Sequence, residues 1–142
     1  MKKSSLLKII TFTLLAGITS CGSSDSPGTI FIPDFTATWP VEGDEDYFMN
    51  LQYPSNDTKY DNGPLHSGEI LGEEQHNDGD DPRHNNILKG IFNGLDIEFT
   101  IERENGDKIE YKGKMTPISE TNHFIVKISL NSPQEGAMVL SR

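Results

Sequence analysis

Residues 95–115, LDIEFTIERENGDKIEYKGKM, alternate between apolar and polar on both sides of one turn. Leu95, Ile97, Phe99 and Ile101 are separated by Asp96, Glu98 and Thr100; Ile109, Tyr111, Gly113 and Met115 are separated by Glu110, Lys112 and Lys114. A repeat of two sends successive side chains to opposite faces of a strand, so each run buries one face and wets the other. The two runs form a hairpin, and its register is restricted. A two-residue turn at Asn105-Gly106 sets Glu102 against Ile109 and mixes the faces, which a half-buried strand disfavours. A three-residue loop, Glu104-Asn105-Gly106, with Gly106 at positive φ, keeps them apart. It pairs Ile101 with Ile109, Phe99 with Tyr111 and Ile97 with Gly113. On the wet face it pairs Glu102 with Lys108, Glu98 with Lys112 and Asp96 with Lys114.

Weaker versions of the same pattern recur along the chain. DFTATWPV aligns Phe35, Ala37, Trp39 and Val41; YFMNLQY aligns Tyr47, Met49, Leu51 and Tyr53. The stretches 65–73 and 86–93 are glycine-interrupted strands. HFIVKISL aligns Phe124, Val126, Ile128 and Leu130, and AMVLSR, 137–142, aligns Met138 and Leu140. Nothing between 29 and 142 combines helical period with helical length. The expected fold is all-β: an antiparallel meander of about eight strands over 29–142, forming a single domain. Eight strands suffice to close a small barrel and remove its edges. A two-sheet sandwich is the alternative.

The start of the chain follows a different logic. Lys2, Lys3 and Lys8 precede the uncharged run Ile9 to Ile18, which is half the ~20 residues of a membrane-spanning helix. A basic start, a short apolar run and then small residues is the layout of a secretory signal. Ile18-Thr19-Ser20-Cys21 then resembles the lipobox of bacterial lipoproteins. The resemblance implies cleavage after residue 20, acylation of Cys21, and a mature chain held to a bilayer by its lipid. Residues 21–28, with GSSDSPG after the Cys, then read as a flexible tether. Gly22 after the Cys resembles the outer-membrane sorting rule of some Gram-negative bacteria. Cys21 is the only cysteine, so no intramolecular disulfide is available and the fold relies on its core.

The run Gly90, Gly94, Ile97 and Phe99, then Tyr111 and Gly113, with Trp39 on the first strand, resembles small bacterial lipocalin-like (calycin) domains. In that family an Arg near the C-terminus covers the Trp, which implies that role for Arg142 over Trp39. Ala37 stands where the usual glycine precedes the Trp, and Pro40 follows it. The resemblance makes Trp39, Phe99, Tyr111, Phe124 and Arg142 the candidate interior or ligand-facing residues.

Charge narrows the partners. The formal net charge is −10, and loss of the signal removes three lysines more. Such a surface repels phosphate backbones, so nucleic acid is excluded, and it repels anionic headgroups, so only the lipid meets the bilayer. The most polar stretch, EEQHNDGDDPRHNN at 73–86, gathers Glu73, Glu74, His76, Asp78, Asp80, Asp81 and His84. It lacks the spaced ligands of a calcium loop, and it reads as a solvated loop between the third and fourth strands that holds no metal. The four histidines, at 66, 76, 84 and 123, form no recognisable catalytic spacing, and G-x-S-x-G, H-E-x-x-H and phosphate-loop motifs are absent. Tyr47, Phe48, Tyr53 and Tyr60 are candidates for a binding rim, since aromatics anchor recognition, but such residues more often serve as ordinary barrel packing. No enzyme and no cofactor are expected. Two functions fit: a non-catalytic barrel that binds an apolar or amphipathic small molecule, or a solid-cored interaction or inhibitor-type module that docks on another envelope protein. Interior volume discriminates between them.

Overall fold

A computed structural model describes residues 31–54 and 66–142. Eight strands run in chain order: β1 (Ala37–Val41), β2 (Asp44–Gln52), β3 (Ser67–His76), β4 (Asn86–Asn93), β5 (Asp96–Glu102), β6 (Lys108–Ser119), β7 (Asn122–Ser132) and β8 (Gly136–Ser141). Each pairs antiparallel with the next, and β8 returns to β1, so the sheet is a closed barrel. The sandwich alternative is thereby set aside. The signal, Cys21 and the tether lie outside the described residues.

The β5–β6 hairpin has the expected register, with all six pairs from Ile101–Ile109 to Asp96–Lys114 in place. Its wet face carries the ion pairs Lys108–Glu102, Lys112–Glu98 and Lys114–Asp96 at 3.1, 3.0 and 2.6 Å. Exposed pairs of this kind add only a few tenths of a kcal/mol each, so the buried face dominates the choice of register. Gly106 closes the loop at φ +88°. A Cβ added there meets nothing within 4 Å, so a substitution is opposed by backbone conformation alone. Gly106→Val is expected to lower stability by roughly 1 kcal/mol or more, read as a reduced urea midpoint with an unchanged slope. An unchanged midpoint would contradict the positive-φ turn.

Gly90 shows why glycines interrupt these strands. A Cβ at this position would lie 2.1 Å from the Glu98 carbonyl oxygen and 2.6 Å from the Phe99 Cα. Two strands approach this closely only where one side chain is missing, and a small barrel needs such points to turn its corners.

Inward-facing residues fill the barrel. Phe35, Trp39, Tyr47, Met49, Leu51, Ile70, Leu88, Phe92, Ile97, Phe99, Ile101, Tyr111, Ile128 and Leu140 are among its buried side chains. Phe124 is not one of them, and the strict alternation expected for β7 fails here. Along β6 and β7 the pairing passes from Thr116–Lys127 directly to Pro117–Ile125, leaving Val126 as an extra residue. Pro117 has no N–H to donate to the ladder, and a bulge at that point reverses the parity of what precedes it. Ile125 therefore takes the inward position, while Phe124 is 41% exposed.

A meander places alternate turns at opposite ends. One end holds the β4–β5 and β6–β7 turns, the chain's arrival at β1 and its C-terminus. Residues 31–35 fold across this end. Asp34 pairs with Phe124 beyond the reach of β8, and Tyr53 donates from its hydroxyl to the Pro33 carbonyl at 2.9 Å. Phe35 packs against Tyr53 and Phe92, each ring centroid 5.0 Å away. The β1–β2, β3–β4, β5–β6 and β7–β8 connections form the opposite end, the mouth.

Candidate functional site: the barrel mouth

The stretch 73–86 is not one solvated loop. Glu73–His76 continue β3, and parity with Ile70 turns Glu74 and His76 inward. Glu74 is fully buried at the mouth end of the core. Its Oε1 accepts from the Tyr47 hydroxyl and from Arg103 Nη2, each at 2.7 Å. Its Oε2 accepts from Asn86 Nδ2 at 2.7 Å and from Arg103 Nε at 3.0 Å. Four donors thus satisfy the carboxylate's lone pairs, the condition under which a charge tolerates burial. Arg103 turns its remaining edge to Glu135 on the β7–β8 turn through Nη1 and Nη2, and Tyr111 donates its hydroxyl to the same carboxylate at 2.7 Å. The chain Tyr47–Glu74–Arg103–Glu135–Tyr111 runs from the dry interior to the mouth.

A second ion cluster sits above it. Arg83 makes a two-bond fork to Asp81 at 2.8 Å and a bond to Asp44 at 2.9 Å, and its guanidinium lies 4.5 Å from the Tyr47 ring centroid. His76 Nε2 lies 3.7 Å from Asp81. These contacts fasten the β3–β4 loop to the β1–β2 turn. Together the two clusters border an open cleft of about 740 Å³, lined on its other side by Val41, Glu42, Ala137, Met138 and Val139.

Ionisation follows from the pairing. Arg83 holds both Asp44 and Asp81 below the usual carboxylate range. Burial pushes Glu135 up, but the hydrogen bonds from Arg103 and Tyr111 outweigh it and hold it low. Burial, then the neighbouring carboxylates, pushes the Tyr47 and Tyr111 hydroxyls well above their ordinary value. Burial opposes the charge on Arg103, yet bonds to Glu74 and Glu135 strengthen it. Each of these shifts reinforces the charge state its group already has at neutral pH: the carboxylates and Arg103 stay charged and the two tyrosines stay neutral.

These depressed carboxylates set an acid limit. Their pairing contributes fully above the unfolded value of about 4, and the contribution is lost as pH falls through the lower folded values. Urea midpoints are expected to stay level between about pH 7 and 5 and to fall below about pH 4. A midpoint that holds or rises in acid would contradict the paired geometry.

The residues expected from sequence are divided between the two ends. Tyr111 reaches the mouth. Phe99 packs beside it in mid-barrel, ring centroids 5.6 Å apart. Trp39, Arg142 and Phe124 lie together at the closed end. Trp39 is fully buried and donates its indole N–H to the Phe35 carbonyl at 2.8 Å. Arg142 stands 4.5 Å from the Trp39 ring and 4.0 Å from that of Phe124, and it donates to the Ile125 and Asp34 carbonyls. Phe124 thus covers Arg142 from outside and does not face the interior. Of the tyrosines read as packing, Tyr47 is buried but also supplies a hydroxyl to the mouth network. Tyr60 falls outside the described residues. No group of three or more His, Cys, Asp or Glu among the described residues is arranged to hold a metal ion.

A further groove, about 530 Å³, crosses the outer wall over β3 to β6, between Leu71, Lys89, Ile91, Glu98, Thr100 and Lys112. Of the charged network only Tyr111 is among its lining residues. No family profile, curated protein or solved structure matches the chain.

Proposed function

We propose that this chain is a lipid-anchored component of a bacterial envelope, a lipocalin-like barrel that does no chemistry and docks on another envelope protein through its mouth. The observation that carries this reading is the contrast between a filled interior and an open, charged mouth. Phe35, Trp39, Tyr111, Met49, Leu51 and Ile70 are among the large side chains that occupy the barrel with almost no exposure. An apolar ligand held inside would have to displace close-packed groups, and one methylene of overpacking is already felt in a core. The mouth needs no such rearrangement. Small-molecule binding in the interior is therefore the less favoured of the two functions.

Lipid attachment at Cys21, placement in the outer membrane and lipocalin-like ancestry complete the proposal. Ten residue steps separate Cys21 from Phe31, a reach of at most about 36 Å. The chain enters at the closed end, so the tether joins the barrel opposite its recognition face. Cys21→Ser is expected to abolish membrane association and leave an unprocessed or soluble form. Palmitate labelling that persists in that variant would remove the anchor from the proposal. Native mass spectrometry of the lipoprotein, released in detergent from its own host, tests the docking. The expected spectrum contains a defined complex with a second polypeptide. A stoichiometric apolar small molecule on the isolated barrel would overturn docking in favour of ligand carriage.

A further inference from the structure

We infer that the mouth receives an extended segment of the partner protein as an added strand on the open edge of β8, with a basic side chain of that segment set against the acidic rim. The inference rests on the docking function proposed above and names the chemistry of the partner.

The barrel closes unevenly. β8 pairs with β7 along its whole length, from Ser141–Lys127 to Gly136–Ser132. On its other side β8 meets β1 at the single pair Val41–Leu140, supported by the Glu42 N–H donating to the Val139 carbonyl at 2.8 Å. Main-chain groups along a strand point alternately to its two neighbours. The bond to Val139 therefore assigns the odd-numbered residues of β8 to the β1 side, and the N–H and C=O of Ala137 point the same way. β1 has ended by then, because Gly43 turns the chain into β2 at φ +89°. Among the described residues, no strand residue pairs with Ala137 on that side. Ala137 is exposed and forms part of the cleft wall with Met138 and Val139.

An unpaired strand edge is a template for another strand, and peptides bind such edges through main-chain bonds while alternate side chains supply selectivity. Charge selects the kind of segment. The cleft wall carries Glu42, Asp44, Asp81 and Glu135 against Arg83 and Arg103. Both arginines are engaged, Arg83 by Asp81 and Asp44, Arg103 by Glu74 and Glu135. Carboxylates remain in excess, and exposed Glu42 stands at the turn beside the open edge. A lysine or arginine of the incoming strand complements this rim; an aspartate or glutamate is repelled by it.

The probe is an acetylated and amidated hexapeptide of alternating lysine and threonine. It is titrated into the full-length lipoprotein in detergent, with amide NMR shifts as the readout. Saturable binding that shifts the Ala137 and Val139 amides is expected. Affinity should fall at least about tenfold for the glutamate–threonine counterpart, for the backbone N-methylated peptide, and for Ala137→Pro, which removes the edge donor. Glu42→Lys, on an exposed turn, provides a second variant with the same expected loss should the proline disturb folding. Absence of saturable binding, shifts confined to other faces, or equal affinity for the N-methylated peptide would overturn strand addition. A polypeptide complex that survives both substitutions in native mass spectrometry would also overturn it while leaving docking intact. Absence of any polypeptide complex with the unaltered lipoprotein would overturn docking itself and this inference with it.

Discussion

Trp39→Ala is expected to leave the barrel barely folded. The indole is fully buried, bonded to Phe35 and covered by Arg142. Truncating a buried aromatic costs about 3–5 kcal/mol, through lost transfer energy and the cavity left behind. A domain of this size holds roughly 5–15 kcal/mol in total. The loss falls at the closed end, where residues 31–35, β1 and the C-terminus meet, so far-UV circular dichroism and urea midpoints should both decline. Trp39→Phe keeps most of the apolar contact and loses the hydrogen bond, so its cost should be visibly smaller. In the unaltered protein the tryptophan emission should be blue-shifted and protected from quenchers, and it should change in Arg142→Ala because the guanidinium lies over the ring. Water-like emission would contradict the burial, and an unchanged spectrum in Arg142→Ala would contradict the stacking.

Arg103→Ala is expected to cost about 3–5 kcal/mol for a different reason: it leaves the Glu74 carboxylate buried without its cation. Tyr47 and Asn86 alone cannot compensate a charge taken out of water. Replacing both partners together should behave differently. Glu74→Leu with Arg103→Leu removes the uncompensated charge as well as the attraction, and such exchanges are often near neutral in stability. The double variant should therefore be more stable than Arg103→Ala by urea denaturation. A single-variant loss below about 1 kcal/mol would mean that the network is solvated and contributes little.

Period two made most of the fold legible. Over residues 96–102 of β5 and 108–115 of β6 every residue obeys one parity, so pattern and charge agree on the register before any contact is known. β7 departs from its pattern because the bulge arises in pairing with Pro117, and the sequence of β7 alone carries no sign of its partner's missing donor. The mouth network was half legible. Extending the inward parity of Ile70 reaches Glu74, that of Leu88 reaches Asn86, and that of Ile101 reaches Arg103. Acidic density in EEQHNDGDDPRHNN masked this, since a run of polar residues reads first as loop. Glu135 sits on a turn, where no periodicity applies, and its meeting with Arg103 follows only from closure of the barrel. The Arg83 latch follows from the β2–β3 pairing, which brings Asp44 at the start of β2 to the β3–β4 loop although the two are distant in sequence.

Site-specific photo-crosslinking in the native host most directly tests whether the mouth is the recognition face. One photoreactive residue replaces Ala137 at the cleft, and another replaces Ile118, exposed near the closed end. A single polypeptide adduct of constant mass is predicted from position 137, absent from position 118 and lost when Cys21→Ser removes the anchor. Adducts from 118 in place of 137, or equal adducts from both, would contradict docking through the mouth.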